Sequence, residues 1–182
     1  MTLHLFVPCF VLLTTALFAA DVPSAPKVFD DQLRNMEREF VPLVQAMPAD
    51  KFDFAPKNGE FKGVRTFAMQ SKHVAFVLYE ISAALLEEKN PSAGSKDENG
   101  PEDVKTKDEV VKYVKDAFEY AHRAVGTLTN HNLLEETADP FASTRKRTRV
   151  DSVSIMLWHS FDHYGQMVEY ARMNSVIPPA SR

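Results

Sequence analysis

The chain has 182 residues, 45% hydrophobic and 25% charged, with a formal net charge of −4. That length fits one domain with a core of its own. The acidic balance excludes a global attraction to nucleic acid or to an anionic membrane surface.

The first twenty residues differ from the rest. Met1 to Ala20 contains no Lys, Arg, Asp or Glu, and Leu5 to Ala20 is almost continuously apolar. A run this short, interrupted by Pro8, falls below the roughly 20 apolar residues of a membrane span. It reads as a signal segment over residues 1–20, ending on Ala19-Ala20 before the polar sequence that starts at Asp21. An uncleaved anchor is the rival reading. The expected location is therefore exported, periplasmic or secreted, with no stable span in the mature protein. Cys9 is the single cysteine and lies inside this segment. The mature chain thus forms no disulfide, Cys–metal site or thiolate nucleophile.

Four helical stretches follow. The first, Val28 to Met47, carries Phe29, Leu33, Met36, Phe40, Leu43 and Met47 at alternating spacings of four and three. Pro42 is expected to bend or shorten it. The second, Val64 to Glu88, has the stripe Phe67, Val74, Leu78, Ile81 and Leu85, with Thr66 as a cap and Asn90-Pro91 as a stop. Pro91 to Lys105 reads as a long solvated loop. Its Asp97-Glu98-Asn99-Gly100 lacks the spacing of a calcium loop. The third stretch, Lys107 to Thr129, opens on the capping box Thr106-Lys107-Asp108-Glu109. An irregular segment with the basic cluster Arg145-Lys146-Arg147-Thr148-Arg149 leads to the fourth, Asp151 to Asn174. No period-2 pattern of useful length is visible. The expectation is an all-α four-helix bundle over residues 26–177, with a long second connection that allows a crossover.

His159 and His163 stand at i and i+4, so both rings share one helix face, one turn apart. That spacing lets two imidazoles bind one cation, although alone it is a weak signal. A third ligand must come from another helix. His73 is a candidate, but it lies about 120° from the centre of its helix's apolar stripe, on a flank. His122 is expected to be solvated, and His131 to sit at a helix end.

His159-Ser160-Phe161-Asp162-His163-Tyr164-Gly165-Gln166 resembles the H-x-x-x-H-[RY]-G-Q signature of the DinB-like superfamily, which includes YfiT-type metal-dependent hydrolases. Arg65-Thr66-Phe67, with Ser71-Lys72-His73 one turn later, is similar to the segment carrying that family's first metal histidine. The resemblance covers essentially the whole mature domain. It implies a four-helix bundle that binds a divalent metal through His73, His159 and His163. It also implies a reaction class, since family members include thiol transferases and isomerases that use small thiols such as bacillithiol or mycothiol.

Three imidazoles without a carboxylate suit zinc, nickel, cobalt, manganese or iron, and leave positions open for water or substrate. Gln70 and Gln166, each three residues from a ligand, are expected to hydrogen-bond to the ligands. Tyr164 and Tyr170 read as packing residues before they read as acids. Two functions remain in view, with a small molecule as partner and a homodimer left open. A metal-dependent hydrolase or thiol-type transferase predicts a cleft over the metal. A non-catalytic metal- or ligand-binding module of the cell envelope predicts a sealed one. Nucleic acid is not an expected partner, because the basic cluster stands alone without interleaved aromatic residues.

Overall fold

The computed structural model describes residues 24–182, so the signal segment expected over residues 1–20 lies outside the described residues. Helix α1 spans Ala25–Ala46, α2 Phe67–Leu86, α3 Lys107–Val125 and α4 Arg149–Met173. Each start is fixed by a side-chain cap, in which Ser24, Thr66, Thr106 and Thr148 accept from Lys27, Met69, Glu109 and Asp151 N–H. At Thr106 the capping box is complete, because the Glu109 carboxylate accepts from the Thr106 N–H in return. Helix α1 runs through Pro42 to Ala46 without being shortened there. Val41, Leu43, Val44 and Met47 around it are buried, which offsets the missing backbone bond. Helix α2 stops before Asn90-Pro91, on Glu87 in the left-handed conformation (φ 56°). Helix α3 ends at Gly126, earlier than expected.

The packing order differs from the chain order. Helix α2 packs against α3 and α4, and α1 packs against α3 and α4. Consecutive helices α1 and α2 therefore occupy diagonal corners, as do α3 and α4. The core between them holds the expected stripes, including Leu33, Met36, Phe40, Phe67, Leu78, Val114, Phe118, Met156 and Met167. Because α2 and α4 are neighbours, the flank of α2 that carries His73 meets the histidine face of α4.

One element escapes the sequence pattern. Strands β1 (Glu136–Ala138) and β2 (Lys146–Thr148) form an antiparallel ribbon, with Thr137 opposite Arg147. Three-residue strands are too short to display alternation. Among the described residues no helix is long and apolar enough to cross a membrane.

Candidate metal centre

His73 comes from the middle of α2, and His159 and His163 from successive turns of α4. One ring nitrogen of each lies within 4.8 Å of the other two, and among the described residues no other group of three His, Cys, Asp or Glu gathers this way. The ring centroids are 4.9, 4.7 and 4.5 Å apart, and no two rings are parallel. His73 and His163 are buried and His159 is partly exposed. The off-centre position of His73 is explained by packing, since the apolar stripe faces the core and the flank faces α4.

The outer hydrogen bonds fix two tautomers. His73 Nδ1 lies 2.7 Å from the Glu98 carbonyl, which only accepts, so the proton is on Nδ1 and Nε2 keeps its lone pair. For His163 the polarity is set from further away. The Asp162 carboxylate accepts from Gln166 Nε2 at 3.0 Å. Gln166 Oε1 then accepts from Gln70 Nε2 at 2.9 Å, which leaves Gln70 Oε1 to accept from His163 Nδ1 at 2.5 Å. His163 Nε2 is thereby a free acceptor. Gln70 bonds a ligand as expected, but Gln166 does not: it reaches His163 only through Gln70, and the exposed Asp162 acts only through both.

His159 is different. Its Nε2 is 3.0 Å from His73 Nε2, and its buried Nδ1 has no partner. Two lone-pair nitrogens at that distance either share a proton or converge on a cation. Metal–nitrogen bonds of about 2.0–2.1 Å hold ligand nitrogens about 3.0–3.4 Å apart, so the observed spacing fits an ion with little movement.

The protonation states suit the same role. Burial pushes His159 down to about 3, with the charges of His163, His73 and Arg65 adding to it. His163 is pushed down to about 4 by burial and by His73. Burial also lowers His73, against the opposing effect of its bond to Glu98. At neutral pH all three are uncharged imidazoles, the form that ligates.

The loop between α2 and α3 has a function that its composition does not reveal. Lys72 Nζ donates to the carbonyls of Pro101 and Val104, and Arg65 Nε donates to Asn99 Oδ1. Gly100 (φ +78°) lies against α2, where a Cβ would come within 2.9 Å of Lys72 Cβ. These ties hold the Glu98 carbonyl over His73, so Glu98 contributes through its backbone. No side-chain pattern could have identified it.

The remaining candidates lie elsewhere. His122 is not solvated as expected. It bridges α1 and α3, with Nδ1 2.6 Å from Asp30 and Nε2 3.2 Å from Glu37. Its partners are far away in sequence, so local charge patterning missed them. His131 is exposed in the loop after α3. Tyr170 donates to the Arg65 carbonyl at 3.3 Å and packs edge-on against Phe54, and Tyr164 is half-buried. The basic cluster is largely neutralised. Asp139, with a fully buried side chain, accepts from both Arg145 Nε and Arg147 Nε, and Arg149 pairs with Glu87. Burial pushes the Asp139 carboxyl up, but the Phe141 N–H and the two guanidinium groups outweigh it and hold the group below its ordinary value.

A cleft of about 380 Å³ opens beside the histidines, with His73 and His159 in its wall. Trp158 stands at its edge, 59% exposed, its ring 6.0 Å from that of His159. Phe141, from the turn between β1 and β2, stands beside the same cleft. The sequence offered no reason to bring Phe141 to α4.

Comparison with known proteins identifies both a family and similar folds. The family model of the DinB superfamily matches residues 32–167. The fold is similar to the crystal structure of a DinB-like protein from Bacillus cereus ATCC 10987, with a TM-score of 0.66 and 13% sequence identity, over 83% of this chain and 93% of that one. No curated protein matches the chain.

Proposed function

Because the chain belongs to the DinB superfamily, we propose that His73, His159 and His163 are the ligands of one divalent metal ion in a metal-dependent hydrolase or thiol-type transferase. The observation that carries this reading is the convergence of three neutral imidazoles beside an open cleft, two of them locked by outer hydrogen bonds with Nε2 free. A site meant only to staple helices together needs no such opening.

When bound, such an ion supplies Lewis acidity, the chemistry that makes a nucleophile of water or of a substrate thiol near neutral pH. The chain's own residues do the rest. Glu98 and Gln70 hold the Nδ1 protons of His73 and His163, which orients both rings and keeps them basic. Arg65, anchored by Asn99 and Glu98, adds a positive field that favours an anion at the site. Residues 21–182 contain no cysteine, so any thiol in the reaction arrives with a small-molecule substrate. The apolar segment before Asp21 supports export, and the mass of the protein recovered from expressing cells tests whether residues 1–20 are removed.

Metal analysis of the purified protein beside a His159→Ala/His163→Ala variant tests the site. Metal near one equivalent in the first and near zero in the second is the expected result, and equal near-zero metal in both would sink it. Turnover on a panel of ester, amide and thiol-conjugation substrates then separates an enzyme from a non-catalytic binding module of the cell envelope.

A further inference from the structure

The cleft beside the histidines is two-sided in its chemistry. Its apolar wall is made of Val77, Ile155, Trp158 and Phe141. Val77 is buried, but Trp158 and Phe141 are 59% and 41% exposed. Large aromatic surfaces left in water at the mouth of a concavity do little for folding, and they gain when a ligand covers them. The volume suits a small molecule rather than a polypeptide segment.

The charges in the cleft narrow the class. Among the described residues that line it, the one cation is Arg147. That guanidinium is already committed, with Nε 2.9 Å from the buried Asp139 and Nη1 2.8 Å from Asp151. Asp151 and Glu98 are both exposed at the rim. With Asp151 on Arg147 and Glu98 paired to Arg65 at 3.4 Å, no uncommitted cation faces the cleft, and an anionic substituent along this wall meets two carboxylates without a free partner of its own. An uncharged aromatic or similarly flat apolar group meets no such opposition, and Trp158 offers it a face to stack on.

From this we infer that the substrate carries an uncharged aromatic or apolar body, seated between Trp158 and Phe141, which presents its reacting donor atom to the three histidines. Trp158 is the specificity-determining residue. This inference rests on the metal reading above and adds the substrate class to it.

The chain has a single tryptophan, so its emission reports on this cleft alone. The experiment uses the cobalt-loaded protein with three probes that share one metal-binding head: imidazole, 4-phenylimidazole and 4-(imidazol-4-yl)benzoate. Cobalt visible absorption reads arrival at the metal, and fluorescence reads arrival at Trp158. The expected result is that 4-phenylimidazole binds at least about tenfold tighter than imidazole and changes the Trp158 emission. The benzoate should lose most of that gain. Trp158→Ala should bring 4-phenylimidazole down to the affinity of imidazole, with the cobalt spectrum and imidazole binding unchanged. Trp158→Phe should keep most of the preference. Equal affinity of the three probes on a protein that shows normal cobalt bands would overturn the substrate class and leave the metal site standing. So would an emission that no probe perturbs because a second copy of the chain covers the cleft, which sedimentation would reveal. Absence of cobalt bands in the unmodified protein would overturn the metal reading, and this inference with it.

Discussion

His163 Nδ1 and Gln70 Oε1 lie 2.5 Å apart, joining α4 to α2 through a side chain one turn from His73. The contact decides which nitrogen of His163 faces the site. Gln70→Leu keeps the size of the side chain and removes the acceptor, leaving a buried N–H without a partner. Metal affinity should fall about 10- to 100-fold, the usual effect of losing such a partner. Isothermal titration with zinc checks this. Unchanged affinity would show that the relay from Asp162 through Gln166 does not hold His163.

The three ligands should not contribute equally. His73 and His163 have outer partners, whereas the buried Nδ1 of His159 has none. A ligand whose second nitrogen must hold an unsatisfied proton is the weaker one. His159→Ala should therefore lower affinity for cobalt less than His163→Ala does. Competitive titration of the single variants ranks them, and the reverse order would contradict the assigned tautomers.

The pH dependence follows from burial. The unfolded chain has imidazoles near 6.5, while folded His163 and His159 titrate near 4 and 3. Between those values the unfolded state binds more protons, so the metal-free protein should lose stability as pH falls below 6.5. The loss levels off once the folded site itself is protonated. Thermal melts of the metal-free protein across this range should show it, and His159→Ala/His163→Ala should flatten the profile. For the same reason zinc affinity should begin to fall only below the ordinary histidine range, because burial holds all three ligands below 6.5.

Asp139 sits at the end of the ribbon with both Arg145 and Arg147 on its carboxylate. Asp139→Ala leaves Arg147, 19% exposed in its side chain, without its inner partner. The expected destabilisation is roughly 2–3 kcal/mol, less than for a fully buried pair because Arg145 is open to water. Denaturant unfolding measures it. The same variant should loosen the turn that carries Phe141 and weaken probe binding in the cleft.

His122 provides the contrasting case. It clamps α1 to α3 through Asp30 and Glu37, on the side of the bundle away from α2 and α4. His122→Ala should lower stability by about 1–2 kcal/mol while leaving metal affinity unchanged, because the two histidine sites share no contact. A parallel loss of metal would mean that the bundle cannot tolerate the change locally.

Most of the fold was legible from local signals. The stripes of α1 to α4, the capping Thr66 and the box at Thr106–Glu109 are short-range patterns, and helix periodicity reads them directly. The i, i+4 pair His159 and His163 is local in the same way, so one face of the site was visible from spacing. The sequence determined, by itself, a helical bundle with two imidazoles on one face, and its motif carried the resemblance that brought in His73. Tertiary structure alone decided the rest. That α2 neighbours α4 places the flank of α2, rather than its stripe, against the histidines. The Glu98 carbonyl over His73 is a backbone group, which no residue type encodes. His122 found its carboxylates on another helix, and Phe141 reached the cleft that Trp158 also lines only because a three-residue ribbon turned it there. Each of these depends on which surfaces meet, and pairing between distant segments is set by packing of the whole core, not by the local order of residues.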